Sequence, residues 1–347
     1  MKVRATILGF AAATPLGYSL EATLAAMGAD LSVFSDSPAR ALSGEPAPAS
    51  CLIDPTLPAA ERLVRLFAHG LADLLALLGP LGIERPPVLL GMPAHLDAGT
   101  LARLDTLLHD RGLDAPANAR FAYGRASTFA AMSHAVKLLH GGGHPCVVVG
   151  GVDSLCAPAT IEALAHARRV LEPFTEGTVP GEAATFVVLA PADAPALDPD
   201  RGLWLEDVAV GRGPSFLEAT TVNADALTQV LHRLAGNSAG RAHRVVAAHS
   251  GEGYFARSFS LACLRAVDLM PEPLQVALTA DKVGDIGAAA GPLGLAFAAY
   301  QMANDLRQEP APRRAIVYTE SDGGEVGAAL LHGQPRSWRR ASLLQGD

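Results

Sequence analysis

Tyr123-Gly124-Arg125-Ala126-Ser127-Thr128 opens a run in which Phe129, Met132, Val136 and Leu139 recur at helical spacing, and the chain then reads Gly141-Gly142-Gly143-His144-Pro145-Cys146-Val147-Val148-Val149-Gly150-Gly151. The periodicity predicts a helix over Ala126 to His140, stopped by the three glycines. Cys146 to Val149 then predicts a buried strand that breaks at the glycine pair. A helix feeding a buried apolar strand is one unit of a sheet covered by helices.

The same grammar extends in both directions. Upstream, Val3 to Phe10 reads as a strand, Thr14-Pro15-Leu16-Gly17 as a turn, Leu20 to Met27 and residues 57–83 as helices, and Pro87 to Met92 as another buried strand. Downstream come a helix at 159–170, a loop through Pro180-Gly181-Glu182 and a strand at Thr185 to Leu189. Pro191 to Arg201, rich in Pro, Asp and Ala, reads as a join. Beyond it the pattern returns, with strands at 203–210, 244–248, 275–279, 314–319 and 326–332 and helices at 222–235, 254–267 and 286–304. The expected organisation is therefore two halves, residues 1–190 and 202–335, without an internal sequence repeat. Residues 336–347, with Arg336, Arg339 and Arg340, read as a flexible basic tail.

Composition narrows the function. The 347 residues are 50% hydrophobic and 18% charged, enough to bury a large core. A net charge of −8 supplies no cationic field for nucleic acid or an anionic bilayer, so neither is expected as a partner. No apolar stretch approaches the roughly 20 residues that span a bilayer, and the N-terminal apolar run is too short for a signal peptide. The expectation is a soluble cytoplasmic protein. Cys51, Cys146, Cys156 and Cys263 are scattered without a CxxC pair and read as small buried hydrophobes. His134, His140 and His144 lack the neighbours and spacing of a zinc site. There is no glycine-rich phosphate loop, so neither a metal nor a nucleotide cofactor is expected.

Landmarks in a fixed order carry a resemblance. They are Ile7-Leu8-Gly9-Phe10-Ala11-Ala12-Ala13-Thr14-Pro15-Leu16-Gly17, Val147 to Ser154, Glu172-Pro173-Phe174, Val179-Pro180-Gly181-Glu182-Ala183, Val246-Ala247-Ala248-His249-Ser250-Gly251, Gly284-Asp285-Ile286-Gly287-Ala288-Ala289-Ala290-Gly291-Pro292-Leu293-Gly294 and Asp322-Gly323-Gly324. Together they resemble the β-ketoacyl synthases, condensing enzymes of thiolase fold, over almost the whole chain. The resemblance implies an α/β fold of two βαβαβαββ-type halves in a five-layered α-β-α-β-α arrangement. The chain is shorter than typical members, through loops trimmed before residue 125 and between 155 and 178. Independently of the family, a Gly-Ala-Ala-Ala-Gly helix start permits tight contact at the centre of a fold.

The resemblance also implies a reaction centre, which this sequence rewrites. The family's cysteine nucleophile sits at the buried start of a central helix, where the helix dipole favours thiolate. Counted back without gaps from Gly150-Gly151, that position is Arg125, and a guanidinium is no acyl acceptor. A two-residue slip would place Ser127 there instead. His249 matches the first family histidine, with Ser250-Gly251-Glu252-Gly253 where the family has Gly-Thr-Gly-Thr. The second histidine position holds Asp285, and an ionised carboxylate donates no hydrogen bond to an enolate. The family's lysine falls on Ala280, with Lys282 as a displaced substitute, and Asp322 stands in the gate normally written Gly-Phe-Gly-Gly.

Three expectations follow. The first is a catalytically silent subunit of fatty-acid or polyketide-type biosynthesis that pairs with an active ketosynthase or binds an acyl carrier protein, as chain-length factors do. A buried pair of Arg125 with Asp285 or Asp322 would plug its pocket. The second is an acyltransferase or thioesterase using Ser127 as nucleophile, His249 as base and Asp285 as orienter. The third makes Cys146 or Cys156 a displaced nucleophile. Arg168-Arg169 reads as a solvated helix face or a landing point for an acidic carrier protein. The family pairs chains edge to edge, so Cys146 to Val149 is the expected strand of a homodimer or heterodimer.

Overall fold

The computed structural model describes residues 4–116, 118–194, 202–238, 240–304 and 313–333. One plan is used twice. In the first half β1 (Ala5–Ala13), β4 (Val88–Gly91), β5 (Arg120–Phe121), β6 (Val147–Ser154) and β7 (Glu182–Pro191) stand in the order β5-β4-β6-β7-β1. The pairs β5-β4 and β4-β6 are parallel, and β6-β7 and β7-β1 are antiparallel. In the second half β8 (Leu203–Arg212), β9 (Arg244–Ala247), β10 (Val276–Leu278), β11 (Arg313–Glu320) and β12 (Glu325–Gly333) repeat it as β10-β9-β11-β12-β8, with the same sequence of directions. The half-sheets join where β1 meets β8 antiparallel, at Ala5↔Leu205 and Thr6↔Trp204.

Side-chain alternation builds the layers. Along β6, Val147 and Val149 enter a central core while Val148 and Val152 enter an outer one; along β11, Ala315 and Val317 face the centre while Ile316 and Tyr318 face outward. The central core holds α4 (Ser127–His140) and α9 (Ala290–Asn304), packed between the two half-sheets, and Leu20, Leu24 and Met27 of α1 (Leu20–Gly28) join it. Helices α2 (Ala59–Leu78) and α3 (Ala98–Asp110) cover the first half-sheet, and α6 (Asp225–Asn237) and α7 (Gly253–Arg265) cover the second. The five expected layers are present.

Glycines set the spacing at the centre. A Cβ on Gly151 of β6 would stand 2.2 Å from the Ala288 carbonyl oxygen, and one on Gly291 of α9 would stand 2.2 Å from Thr128 Oγ1 of α4. Both are inside contact distance, so β6 and α4 meet the start of α9 only because these positions lack side chains. α9 is apolar on every face and accordingly buried along most of its length.

Some elements depart from the sequence reading. The hairpin β2 (Ser35–Arg40) and β3 (Pro46–Ala49) has no apolar alternation; small alanines seat it on Cys156, Ile161 and Ala165 beside α5 (Pro158–His166), which ends short of the expected residue 170. α3 and the two-residue β5 were also not foreseen. The strand expected to pair two chains is corrected: β6 lies between β7 and β4, and the free edge of that half-sheet is β5. A run of valines buried on both faces marks a central strand. The basic tail at 336–347 and most of the Pro191 to Arg201 join lie outside the described residues. Among the described residues no helix is long and apolar enough to cross a membrane.

Candidate functional site

α4 is entered through a 3-10 turn, Gly124–Ala126, that begins with Gly124 at φ 61°. Ser321 fastens this entry: its hydroxyl donates to the Tyr123 carbonyl at 2.5 Å and accepts the Ala126 N–H at 2.8 Å. Ser127 fastens it from the other side, accepting the Tyr123 N–H at 2.8 Å and donating to the Met92 carbonyl at 3.1 Å. The Arg125 side chain is thereby turned into the protein, where it is 5% exposed.

Asp285 comes to meet it. The short helix α8 (Ala280–Val283) ends on Gly284 at φ 70°, and the backbone of Asp285 is then tied across to the Val179-Pro180-Gly181 loop. Its N–H donates to the Val179 carbonyl at 2.7 Å and its carbonyl accepts the Gly181 N–H at 2.9 Å. The carboxylate accepts Arg125 Nε at 3.1 Å and Nη2 at 2.6 Å, and the Gly287 N–H at 3.0 Å. This is a bidentate guanidinium–carboxylate pair, the strongest geometry available to these groups.

The pair is the inner end of a longer cluster. Arg125 Nη1 donates to Asp322 Oδ1 at 2.8 Å and to the Glu320 carbonyl at 3.2 Å. Asp322 Oδ2 in turn accepts Arg169 Nη1 at 2.6 Å. Arg169 grips Glu252 with Nε at 2.8 Å and Nη2 at 2.6 Å, and Ser250 Oγ adds a bond to Glu252 at 2.7 Å. Phe255 lies 5.2 Å from the Arg125 guanidinium carbon and Phe216 4.9 Å from that of Arg169, so each cation also faces a ring.

Burial and charge set the protonation states. Burial alone would lower Arg125, but Asp285 and Asp322 outweigh it and hold the guanidinium charged well above its ordinary range. Burial likewise opposes Arg169, and Glu252 and Asp322 hold it up. Asp322 is raised by burial but lowered further by Arg125 and Arg169, and ends well below the usual carboxylate range. His249 goes the other way: burial, then the Arg125 cation, push it down to about 3, so it is neutral. Burial pushes Asp153 and Glu320 up to about 7. Asp153 accepts the Ala288 N–H at 2.9 Å, which holds the start of α9 against β6.

Of the candidate residues, the fold brings Arg125, Asp285 and Asp322 together. It does not link Ser127, His249 and Asp285. The Ser127 hydroxyl has both bonds in the helix entry, and His249 Nδ1 accepts the Gly251 N–H at 3.3 Å while Nε2 lies 3.3 Å from the Tyr318 hydroxyl. Among the described residues no hydrogen bond joins Ser127 to His249 or His249 to Asp285. Lys282 pairs with Asp30 instead of the cluster. Cys146 packs in the outer core of the first half, where burial pushes its thiol up. Cys156 is packed beneath the hairpin, its thiol raised by burial and directed at the Ser50 carbonyl. Neither shows the lowered pKa of a nucleophile.

The reading of Arg168-Arg169 as a solvated helix face is corrected for Arg169. α5 has ended by then, Arg168 takes φ 56°, and Arg169 turns inward to Glu252 and Asp322. Arg169, Glu252, Glu320 and Asp153 were not named from sequence as site residues. Glu252 had a signal, since an acid stands there in a loop the family fills with Gly and Thr. Among the described residues no group of three or more His, Cys, Asp or Glu side chains is placed to hold a metal ion.

Comparison with known proteins agrees with the architecture. The family model for the β-ketoacyl synthase N-terminal domain matches residues 113–194, which span β5, α4, β6 and β7. The oxazolomycin ketosynthase domain of Streptomyces albus JA3453 superposes with a TM-score of 0.76 at 16% identity, covering 95% of this chain and 74% of that one. The chain has the β-ketoacyl synthase, thiolase-type fold. The ishigamide ketosynthase/chain length factor is similar over 95% of this ketosynthase-fold chain and 99% of its own, with a TM-score of 0.72 at 18% identity. The ketosynthase ApeO in complex with its chain length factor ApeC from Xenorhabdus doucetiae gives a TM-score of 0.69 at 15% identity, covering 95% of this chain and 98% of that one. A search of curated protein sequences finds no significant match.

Proposed function

We propose that this chain is a non-catalytic, chain-length-factor-like subunit of fatty-acid or polyketide-type biosynthesis, which acts by binding an active ketosynthase or an acyl carrier protein. The observation that carries the proposal is the buried bidentate pair of Arg125 and Asp285, because by the resemblance these two stand at the nucleophile and second-histidine positions. A guanidinium offers no electron pair to an acyl group, and a carboxylate held by two N–H donors of an arginine is neither a base nor an oxyanion donor. Asp322 and Arg169 extend the charge across the gate, so an acyl chain entering there would have to break part-buried ion pairs.

Similar structures support the kind of partner. One is a ketosynthase with its chain length factor, and another is an acyl-carrier protein in complex with its ketosynthase. The free edge at β5, Arg120–Phe121, offers the backbone groups through which the first half-sheet would continue into a partner. The test is affinity purification of the tagged chain from its native cells, followed by native mass spectrometry. A stoichiometric complex with a ketosynthase or acyl carrier protein is expected. A chain recovered alone, or as a homodimer that condenses acyl thioesters, would overturn the proposal.

A further inference from the structure

His249 has a second face. Between α7 and the edge strand β10 opens a cavity of about 480 Å³, with the buried His249 and Tyr318 at its inner end. Phe259 and Leu278 form its walls, and the exposed Leu264 and Val276 its rim. The volume falls within the range of ligand pockets, about 300–1,000 Å³, which are mostly apolar with a few placed polar groups.

Proton counting defines the polar group. His249 Nδ1 accepts the Gly251 N–H, so the neutral ring carries its hydrogen on Nε2. That hydrogen points to the Tyr318 oxygen 3.3 Å away, and the phenol is then left with its own hydrogen to donate. Burial pushes Tyr318 well up, so the phenol keeps that proton. Among the described residues no second partner receives it. A buried donor without an acceptor is unfavourable, and a ligand oxygen would relieve it. No Asp, Glu, Lys or Arg lines the cavity, so nothing there would neutralise a charged ligand.

We propose that this cavity binds a neutral aliphatic molecule bearing one carbonyl-type oxygen, which accepts the Tyr318 hydroxyl. A carboxylate of the same length is excluded for want of a cation, and a plain hydrocarbon leaves the donor unmet. The site is independent of whether the Arg125 cluster is silent, because the cavity lies on the outer face of the second half-sheet.

Methyl octanoate is the probe and octanoate its charged counterpart. Isothermal titration reads affinity, and alkylation of Cys263, which lines the cavity, reads location, with the half-buried Cys51 as internal reference. Methyl octanoate is expected to bind and to slow Cys263 alkylation at least about fivefold without changing Cys51, while octanoate does neither. Ala256→Trp, at an exposed α7 position on the cavity lining, is expected to abolish binding, and Tyr318→Phe to weaken it roughly three- to tenfold. The proposal is overturned if the ester does not bind, if octanoate binds equally well, if Ala256→Trp leaves binding intact, or if Tyr318→Phe leaves the affinity unchanged. Protection of Cys263 that rises with protein concentration and not with ester would assign the cavity to a second copy and overturn it too.

Discussion

Replacing Arg125 by methionine keeps most of the side-chain volume and removes the charge. The Asp285 carboxylate, 2% exposed, would then keep only the Gly287 N–H among its side-chain donors, while Asp322 retains Arg169. Removing one partner of a buried pair destabilises by about 3–5 kcal/mol, because the remaining charge is neither solvated nor matched. That is a large part of a typical total of about 5–15 kcal/mol. Removing both charges is different: Arg125→Met with Asp285→Asn takes away one charge of each sign, leaves the Arg169–Glu252 pair as it was, and leaves Asp322 held by Arg169 alone. Such replacements are often close to neutral. The expected result in urea unfolding, followed by circular dichroism, is a single variant weaker by about 3–5 kcal/mol and a double variant that recovers at least about 2 kcal/mol of it. A single variant within about 1 kcal/mol of the parent, or two losses that simply add, would refute the reasoning that the pair is buried and coupled.

Glu320 gives a pH signature. Its carboxyl is pushed up to about 7 from an ordinary value of 4.5, so the folded state keeps a proton that the unfolded chain releases. Its contribution is therefore full below about 4.5 and is lost as pH rises through about 7, worth about 3 kcal/mol across that window. Glu320→Gln, which still accepts from Ser258, is expected to flatten the fall in stability between pH 5 and 8; parallel curves for parent and variant would contradict it. His249 acts with opposite sign: held near 3, it contributes stability that is present above about 6.5 and is lost as pH falls toward 3. Gly151→Ala would press a methyl against the Ala288 carbonyl and is expected to destabilise by about 1–3 kcal/mol, read by thermal melting, whereas an unshifted midpoint would deny the close approach. Ser127→Ala removes two bonds at the helix entry and is expected to lower stability by about 1–3 kcal/mol in urea unfolding; a neutral effect would mean the hydroxyl is free for other work.

How far the sequence carried this account depended on whether a feature is local. α4 and β6 are local, set by spacing within a few residues, and both formed; β6 departs from the expectation in running through Gly150 and Gly151 to Ser154, because β4 and β7 pair with it on both sides there. The glycines at 150, 151 and 291 were legible because only a missing side chain permits contacts of that closeness. The Arg125–Asp285 pair was legible for another reason. Two charges of opposite sign stood at positions the resemblance brings together, and each alone would be costly to bury. Arg169 shows where this stops: Glu252 lies 83 residues on, and a double arginine after a helix reads as surface until the fold shows otherwise. The valine run of β6 misled for a physical reason, since two buried faces make a strand central and leave the edge to the two-residue β5. The β2–β3 hairpin, built on alanines and prolines, carries no periodic signal at all.

The central claim is that no group at the α4 entry accepts an acyl chain. Intact-protein mass spectrometry after incubation with acyl-carrier thioesters, beside an active ketosynthase as control, measures this directly. The parent mass alone is expected, with no condensation product. An acyl adduct mapped by peptide sequencing to Ser127 or any other side chain at this entry would contradict it.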